Sequence, residues 1–167
     1  MNNKRKQLCL NYLKARQAFL EVANKDEVLH GNDNIIGRIG EAIAHSFLEQ
    51  LGRRPKVVKH QSNPGYDIIC EHDGSKISVK LITAENKSGS TSKINHKWDE
   101  LIGIELGEDL KVKNFGLITK EAFVEEQKRK DQSLEPSFSR AMFKENGVFA
   151  LAGTLFPIEQ IEKYDLL

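Results

Sequence analysis

The stretch NPGYDIICEHDGSKISVKLIT, residues 63–83, decides the fold class of this chain. It holds two strand-like runs, YDIICEH and KISVKLIT, on either side of Asp73-Gly74. Asp-Gly between alternating apolar runs is a strong hairpin signal. As a two-residue turn it sets His72 opposite Ser75, Cys70 opposite Ile77, Ile68 opposite Val79 and Asp67 opposite Lys80. Ile68, Cys70, Ile77 and Val79 then form an apolar face, while Asp67, Ile69, Ser78 and Lys80 share the other. A charge inside a sheet is costly unless something pairs with it, so Asp67 and Lys80 are the residues that require explanation. As a bare cross-strand ion pair they would contribute about 0.2–1 kcal/mol.

The flanking sequence extends the hairpin into an α/β domain. Upstream, IIGRIGEAIAHSFLEQLG (35–52) places Ile36, Ile39, Ile43, Phe47 and Leu51 on one helical face, with Gly52 as its stop. Glu41 sits at the margin of that apolar arc. Residues 5–29 predict a further helix, HGNDN (30–34) a break, and KVVKHQS (56–62) a strand. Downstream, AENKSGSTSKINHK (84–97) has the composition of a polar loop, and LIGIEL and KNFGLIT predict two more strands. KEAFVEEQKRKD predicts a charged helix, GVFALAG a strand, and PIEQIEKYDLL a short helix with Pro157 near its start. The expected fold is a mixed central sheet flanked by helices.

Bulk composition narrows the class further. A chain of 167 residues fits one domain with its own core. No apolar run approaches the roughly 20 residues of a membrane span, and the basic start MNNKRKQLCL lacks the apolar stretch of a signal peptide. Cys9 and Cys70 are the only cysteines, so neither a zinc cluster nor a disulfide framework is indicated, and a cytoplasmic location is expected. A net charge of +1 gives no global affinity for polyanions, so any such contact has to come from a local patch.

The order helix-Glu, strand, Asp after a Pro-Gly bend, strand, Lys resembles the PD-(D/E)XK nuclease superfamily, the restriction-endonuclease-like fold. GRIGEAIAHSFLEQLG supplies Glu41, NPGYDI supplies Asp67 and ISVK supplies Lys80, over a core of about residues 35–120, with residues 121–167 as a C-terminal extension. Two departures stand out. Ser78 replaces the second acid, and residues 86–97 are poor helix formers where the family has a helix, although they suffice for a parallel crossover of a dozen or so residues.

The resemblance implies a metal-dependent endonuclease hydrolysing DNA, of restriction type, with Glu41, Asp67, Ser78 and Lys80 at the catalytic site. It implies Mg²⁺, with Mn²⁺ as a substitute, held by Asp67, Glu41 and the carbonyl of Val79, with Lys80 orienting water and balancing phosphate charge. A cut through both strands would use a homodimer. Gln61, Lys87, Lys93, His96 and Lys97 are the expected nucleic-acid contacts, from a donor-rich segment beside the Lys80 strand. Arg140, with Ser137 and Ser139, is a further group able to touch phosphate. Ser78 keeps open an inactive DNA-binding module on the same fold, and a small protein-interaction subunit with Asp67–Lys80 as a structural pair is the remaining alternative.

Overall fold

The protein is described here from a computed structural model covering residues 3–23, 35–58, 65–95 and 97–163. Helix α1 spans Asn3–Ala23 and α2 spans Ile35–Gln50. The expected apolar face of α2 is realised in Ile39, Ile43 and Phe47, all buried. Its stop is a Schellman turn: Gly52 has φ +74°, its N–H donates to Glu49 O at 2.9 Å, and Arg53 N–H donates to Leu48 O at 3.0 Å. Leu51 therefore lies beyond the helix and is exposed, which shortens the expected face by one turn.

Among the described residues the strands are β1 (Pro55–Val57), β2 (Ile68–Cys70), β3 (Lys76–Ile82), β4 (Ser90–Lys93), β5 (Glu100–Leu106), β6 (Val112–Thr119), β7 (Ser137–Ser139) and β8 (Thr154–Leu155). Six form one sheet in the order β1-β2-β3-β5-β6-β8, and β4 and β7 form a separate two-stranded ribbon. The β3–β5 pair is parallel and the other pairs are antiparallel, so the sheet is mixed. Residues 83–99 are the crossover that the parallel pair requires, and they contain β4 where the sequence suggested only loop. The remaining helices are α3 (Lys120–Arg129), α4 (Val148–Leu151) and α5 (Ile158–Glu162).

Two apolar layers sandwich the sheet. On one face α1 and α2 contribute Leu13, Ile39, Ile43 and Phe47, which pack on Ile68, Cys70, Ile77, Ile102 and Ile104. On the other, Ile82 and Leu101 meet Trp98, Phe123, Phe138, Phe143 and Phe149 from the crossover and the C-terminal segment. Trp98 is core, with its ring edge-on to Phe123 at 5.6 Å. GVFALAG, expected as a strand, forms α4 instead. Gly147 opens the turn, Leu151 N–H donates to Gly147 O at 3.1 Å, and Val148 and Phe149 are buried on one side. Short apolar runs do not distinguish strand from buried helix by periodicity, and here the two glycines of the sheet decide. Gly103 and Gly116 face each other across β5 and β6. A Cβ at either would stand 2.6 or 2.5 Å from the Phe149 ring, so the pair is the bare floor on which that ring lies.

The hairpin register is also corrected. Ile68 pairs with Ile77 and Ile69 with Lys76, two residues away from the expected alignment. The cause is Asp73, whose Oδ1 accepts from Ser75 N at 2.9 Å and from Ser75 Oγ at 2.6 Å. Its Oδ2 accepts from Arg53 Nη2 at 3.0 Å. This local turn widens the loop to residues 71–74, closed by Cys70 N–H donating to Ser75 O at 3.0 Å. Because strand side chains alternate with period two, an even shift keeps every residue on its expected face.

Candidate functional site

Asp67, Ser78 and Lys80 lie where β2 leaves β3, on the face opposite α2. Their apolar neighbours Ile68, Ile77, Val79 and Leu81 fill the α2 side. Asp67 and Lys80 are half-buried and Ser78 is buried. The Val79 N–H donates to Asp67 Oδ2 at 2.7 Å, and Asp67 N–H donates to Ile77 O at 2.8 Å. Extending the observed ladder by one pair sets Asp67 opposite Ser78, with Lys80 on the diagonal rather than directly across. In an extended strand the N–H and C=O of one residue point to the same flank. The Val79 carbonyl is therefore directed to the side on which its N–H meets Asp67.

Burial dominates the electrostatics of this group. It pushes the Asp67 carboxyl up, against the Val79 N–H, the Lys80 charge and the Ser78 hydroxyl, which all favour the carboxylate. It likewise pushes Lys80 down, against the attraction of Asp67. Each charge is thus only partly compensated by the other. Lys80 Nζ instead donates to Ser92 Oγ at 3.1 Å, a partner from the crossover strand β4.

Glu41 enters from the other layer. A Cβ on Gly40 would lie 2.9 Å from Leu81 Cβ, so α2 rests directly on the residue after Lys80. That contact carries half-buried Glu41 to the same stretch of β3, from the opposite face of the sheet. One turn on, His45 Nδ1 stands 3.4 Å from Glu49 Oε2. Among the described residues no group of three or more His, Cys, Asp or Glu is placed to hold a metal ion. The available set is one carboxylate, a backbone carbonyl and a hydroxyl, and Glu41 stands on the other face of the sheet.

Of the expected nucleic-acid contacts, Lys87, Lys93 and Lys97 are exposed on or beside β4, while Gln61 and His96 lie outside the described residues. Arg140 is not available as a phosphate contact. Its Nη1 donates to Asn86 O at 2.9 Å and its Nη2 to Thr83 O at 2.5 Å, and its Nε stands 3.2 Å from Glu105 Oε1. Glu105, buried in β5, also accepts from Asn114 Nδ2 at 2.7 Å. This clamp fixes the crossover to the sheet. The sequence carried one signal for it, a lone acid in the apolar run LIGIEL. A second clamp, Arg53, donates to Glu100 through Nη1 at 2.6 Å and Nη2 at 3.0 Å, and to Ser75 Oγ at 2.6 Å. It braces the loop end of the hairpin.

No protein-family model matches this chain, and no curated protein matches it in sequence. No helix among the described residues is long and apolar enough to cross a membrane.

Proposed function

We propose that the protein is a metal-dependent endonuclease of the restriction-endonuclease-like fold, acting on DNA phosphodiester bonds at Asp67, Ser78 and Lys80. The observation that carries this reading is the placement of a carboxylate and an ammonium side by side, half-buried, each under-compensated, at the open end of a strand pair. A structural ion pair would close on itself, whereas here the Lys80 ammonium is held by Ser92. A cation beside Asp67 and a phosphate beside Lys80 would each provide a counter-charge in place of the hydration that burial has removed.

The residues fit a hard divalent cation. Mg²⁺ binds through one or two carboxylates and keeps several waters, which suits Asp67 and the Val79 carbonyl with Ser78 holding a water; Glu41, approaching from the other face of the sheet, would act only through water. Such an ion, when bound, acidifies its water and polarises the phosphoryl oxygens. The protein groups do the rest. Asp67 is oriented by the Val79 N–H, and Lys80 offers its ammonium to the non-bridging phosphate oxygen and holds the attacking water in line. Two copies related by a twofold axis would present one site to each strand of a duplex.

A specific observation favours a second reading. Ser78 is 3% exposed and uncharged at the place of an acid, so the site has fewer anionic ligands than a nuclease of this fold commonly uses. A DNA-binding module that does not cut is the alternative. The deciding assay is cleavage of plasmid and linear duplex substrates with Mg²⁺ and with Mn²⁺, using wild type, Asp67→Ala and Lys80→Ala. Each substitution is expected to lower cleavage by at least about 10²-fold, the scale of a lost charge-stabilising group. Equal cleavage by all three proteins, or binding without any cleavage by wild type, rules out the nuclease assignment.

A further inference from the structure

We infer that the β4–β7 ribbon is the arm by which this protein grips duplex DNA, entering a groove and clasping the phosphates on either side. The inference rests on the reading of Asp67, Ser78 and Lys80 as a phosphodiester site and names the form of substrate that site receives. Three features of the ribbon lead to it. The first is rigidity. Ile94 and Phe138 root the two strands in the core. Arg140 N–H donates to Gly89 O at 3.0 Å, and Ile94 N–H to Pro136 O at 2.9 Å. With the Arg140 clamp on Thr83 and Asn86, the ribbon is tied to the main sheet at its base.

The second feature is chemistry. The exposed positions of the ribbon are Ser92, Lys93 and Ser137, with Lys87 before it and Lys97 after it. Among the described residues, Lys56, Lys113 and Lys130 stand within ion-pair distance of carboxylates, whereas Lys87, Lys93 and Lys97 do not. Of the two acids of the crossover, Glu85 is paired with Arg16, and Asp99 accepts from the Lys76 N–H at 2.8 Å. What sets these three lysines apart from other exposed lysines such as Lys4 and Lys128 is that they gather on and beside one ribbon together with the exposed hydroxyls of Ser92 and Ser137, in a chain whose net charge is only +1. That combination suits phosphate oxygens, which take most contacts in protein–DNA interfaces.

The third feature is position. Between the pairs Ser90–Ser139 and Lys93–Ser137 the register slips by one residue. Such a bulge re-aims a side chain. Ser92 lies within it and accepts the Lys80 ammonium. The ribbon is thereby joined to the candidate site, so a duplex gripped by one would lie against the other. A two-stranded ribbon is an element that the major groove of B-form DNA admits and the deep, narrow groove of A-form RNA does not.

The test is fluorescence anisotropy of a labelled DNA duplex, the matching single strand and the matching RNA duplex, in EDTA so that nothing is cut. The proteins are wild type, the triple variant Lys87→Gln/Lys93→Gln/Lys97→Gln, and a charge-matched control Lys4→Gln/Lys56→Gln/Lys128→Gln, whose lysines are exposed on α1, β1 and α3. Three lost phosphate contacts should reduce the slope of log affinity against log salt by about 2.7. Between about 50 and 200 mM salt, wild type should therefore weaken by about 40-fold more than the triple variant. The control should keep the wild-type slope. Wild type should bind the DNA duplex more tightly than either other ligand. A triple variant with the slope of the control overturns the inference, as does preference for single strands or RNA duplex, or no binding at all. Should wild type bind the duplex through these lysines yet never cut it with Mg²⁺ or Mn²⁺, the nuclease reading falls and the grip stands. Should wild type cut duplex DNA while the triple variant binds like the control, the grip falls and the nuclease reading stands.

Discussion

Replacing Gly116 with Ala tests the packing that shapes the site side of the sheet. The new Cβ would sit 2.5 Å from Phe149 Cγ and 2.6 Å from Cδ1, about 1 Å inside an ordinary carbon–carbon contact. The ring has little room to retreat. It is fully buried, stacked on Phe143 at 5.1 Å and edge-on to Phe138 at 6.4 Å. Overpacking of this kind costs about 1–3 kcal/mol. Phe149→Ala alone removes the ring and should cost about 3–5 kcal/mol through the cavity it leaves. In that background Gly116→Ala meets no ring, and it should be neutral or stabilising by about 0.5–1 kcal/mol, because Ala loses less chain entropy than Gly in a strand. The two substitutions should therefore couple by about 2–3 kcal/mol. Urea unfolding of wild type, both single variants and the double variant at constant m gives the cycle. Costs that add to within about 0.5 kcal/mol would refute the claim that Phe149 rests on the glycine pair. The result bears on function because Gly103, the other half of the pair, is the strand neighbour of Lys80.

Three further outcomes are expected. Ser78→Asp should place a second carboxylate opposite Asp67 in a buried site, lowering metal-free stability by about 1–3 kcal/mol, with Mn²⁺ or Mg²⁺ restoring it by preferential binding to the folded state; a thermal melt insensitive to either ion would count against a cation site at Asp67. Arg140→Met should cost about 1–3 kcal/mol, because Glu105 loses its guanidinium while keeping Lys113 and Asn114, and Thr83 O and Asn86 O lose their donor; a urea-unfolding cost below about 0.5 kcal/mol would show the clamp to be decorative. Hydrogen bonding from Arg129 holds the Glu126 carboxyl down to about 2 from its ordinary 4.5. Its folded value is the lower one, so its contribution is full above about pH 4.5 and is lost as pH falls toward about 2. Glu126→Gln should be less stable than wild type at neutral pH and show a shallower acid-side decline, and matching declines in the two proteins would contradict that assignment.

The candidate site shows how far local pattern reaches. Alternation in YDIICEH and KISVKLIT was enough to put Asp67, Ser78 and Lys80 on one face, because side-chain direction in a strand depends only on parity. Their exact pairing was not legible, because Asp73 spends its carboxylate on Ser75 and Arg53 rather than forming a two-residue turn. Arg53 precedes Asp73 by 20 residues, and no local rule connects them. The burial of α2 on the sheet was legible from its apolar arc, whereas the layer from which Glu41 approaches was not.

The amino-acid sequence by itself determined which segments alternate, which helix has an apolar face, and that a charged pair had to be accommodated beside a strand. Those properties follow from near-neighbour spacing along the chain. The tertiary structure alone decided that the Ser-rich crossover pairs with Ser137–Ser139 as a ribbon, that Arg140 is committed to Glu105, and that Phe149 closes over Gly103 and Gly116. Each joins residues more than 30 positions apart, where the free energy comes from burial and charge compensation between surfaces that no short stretch of sequence contains.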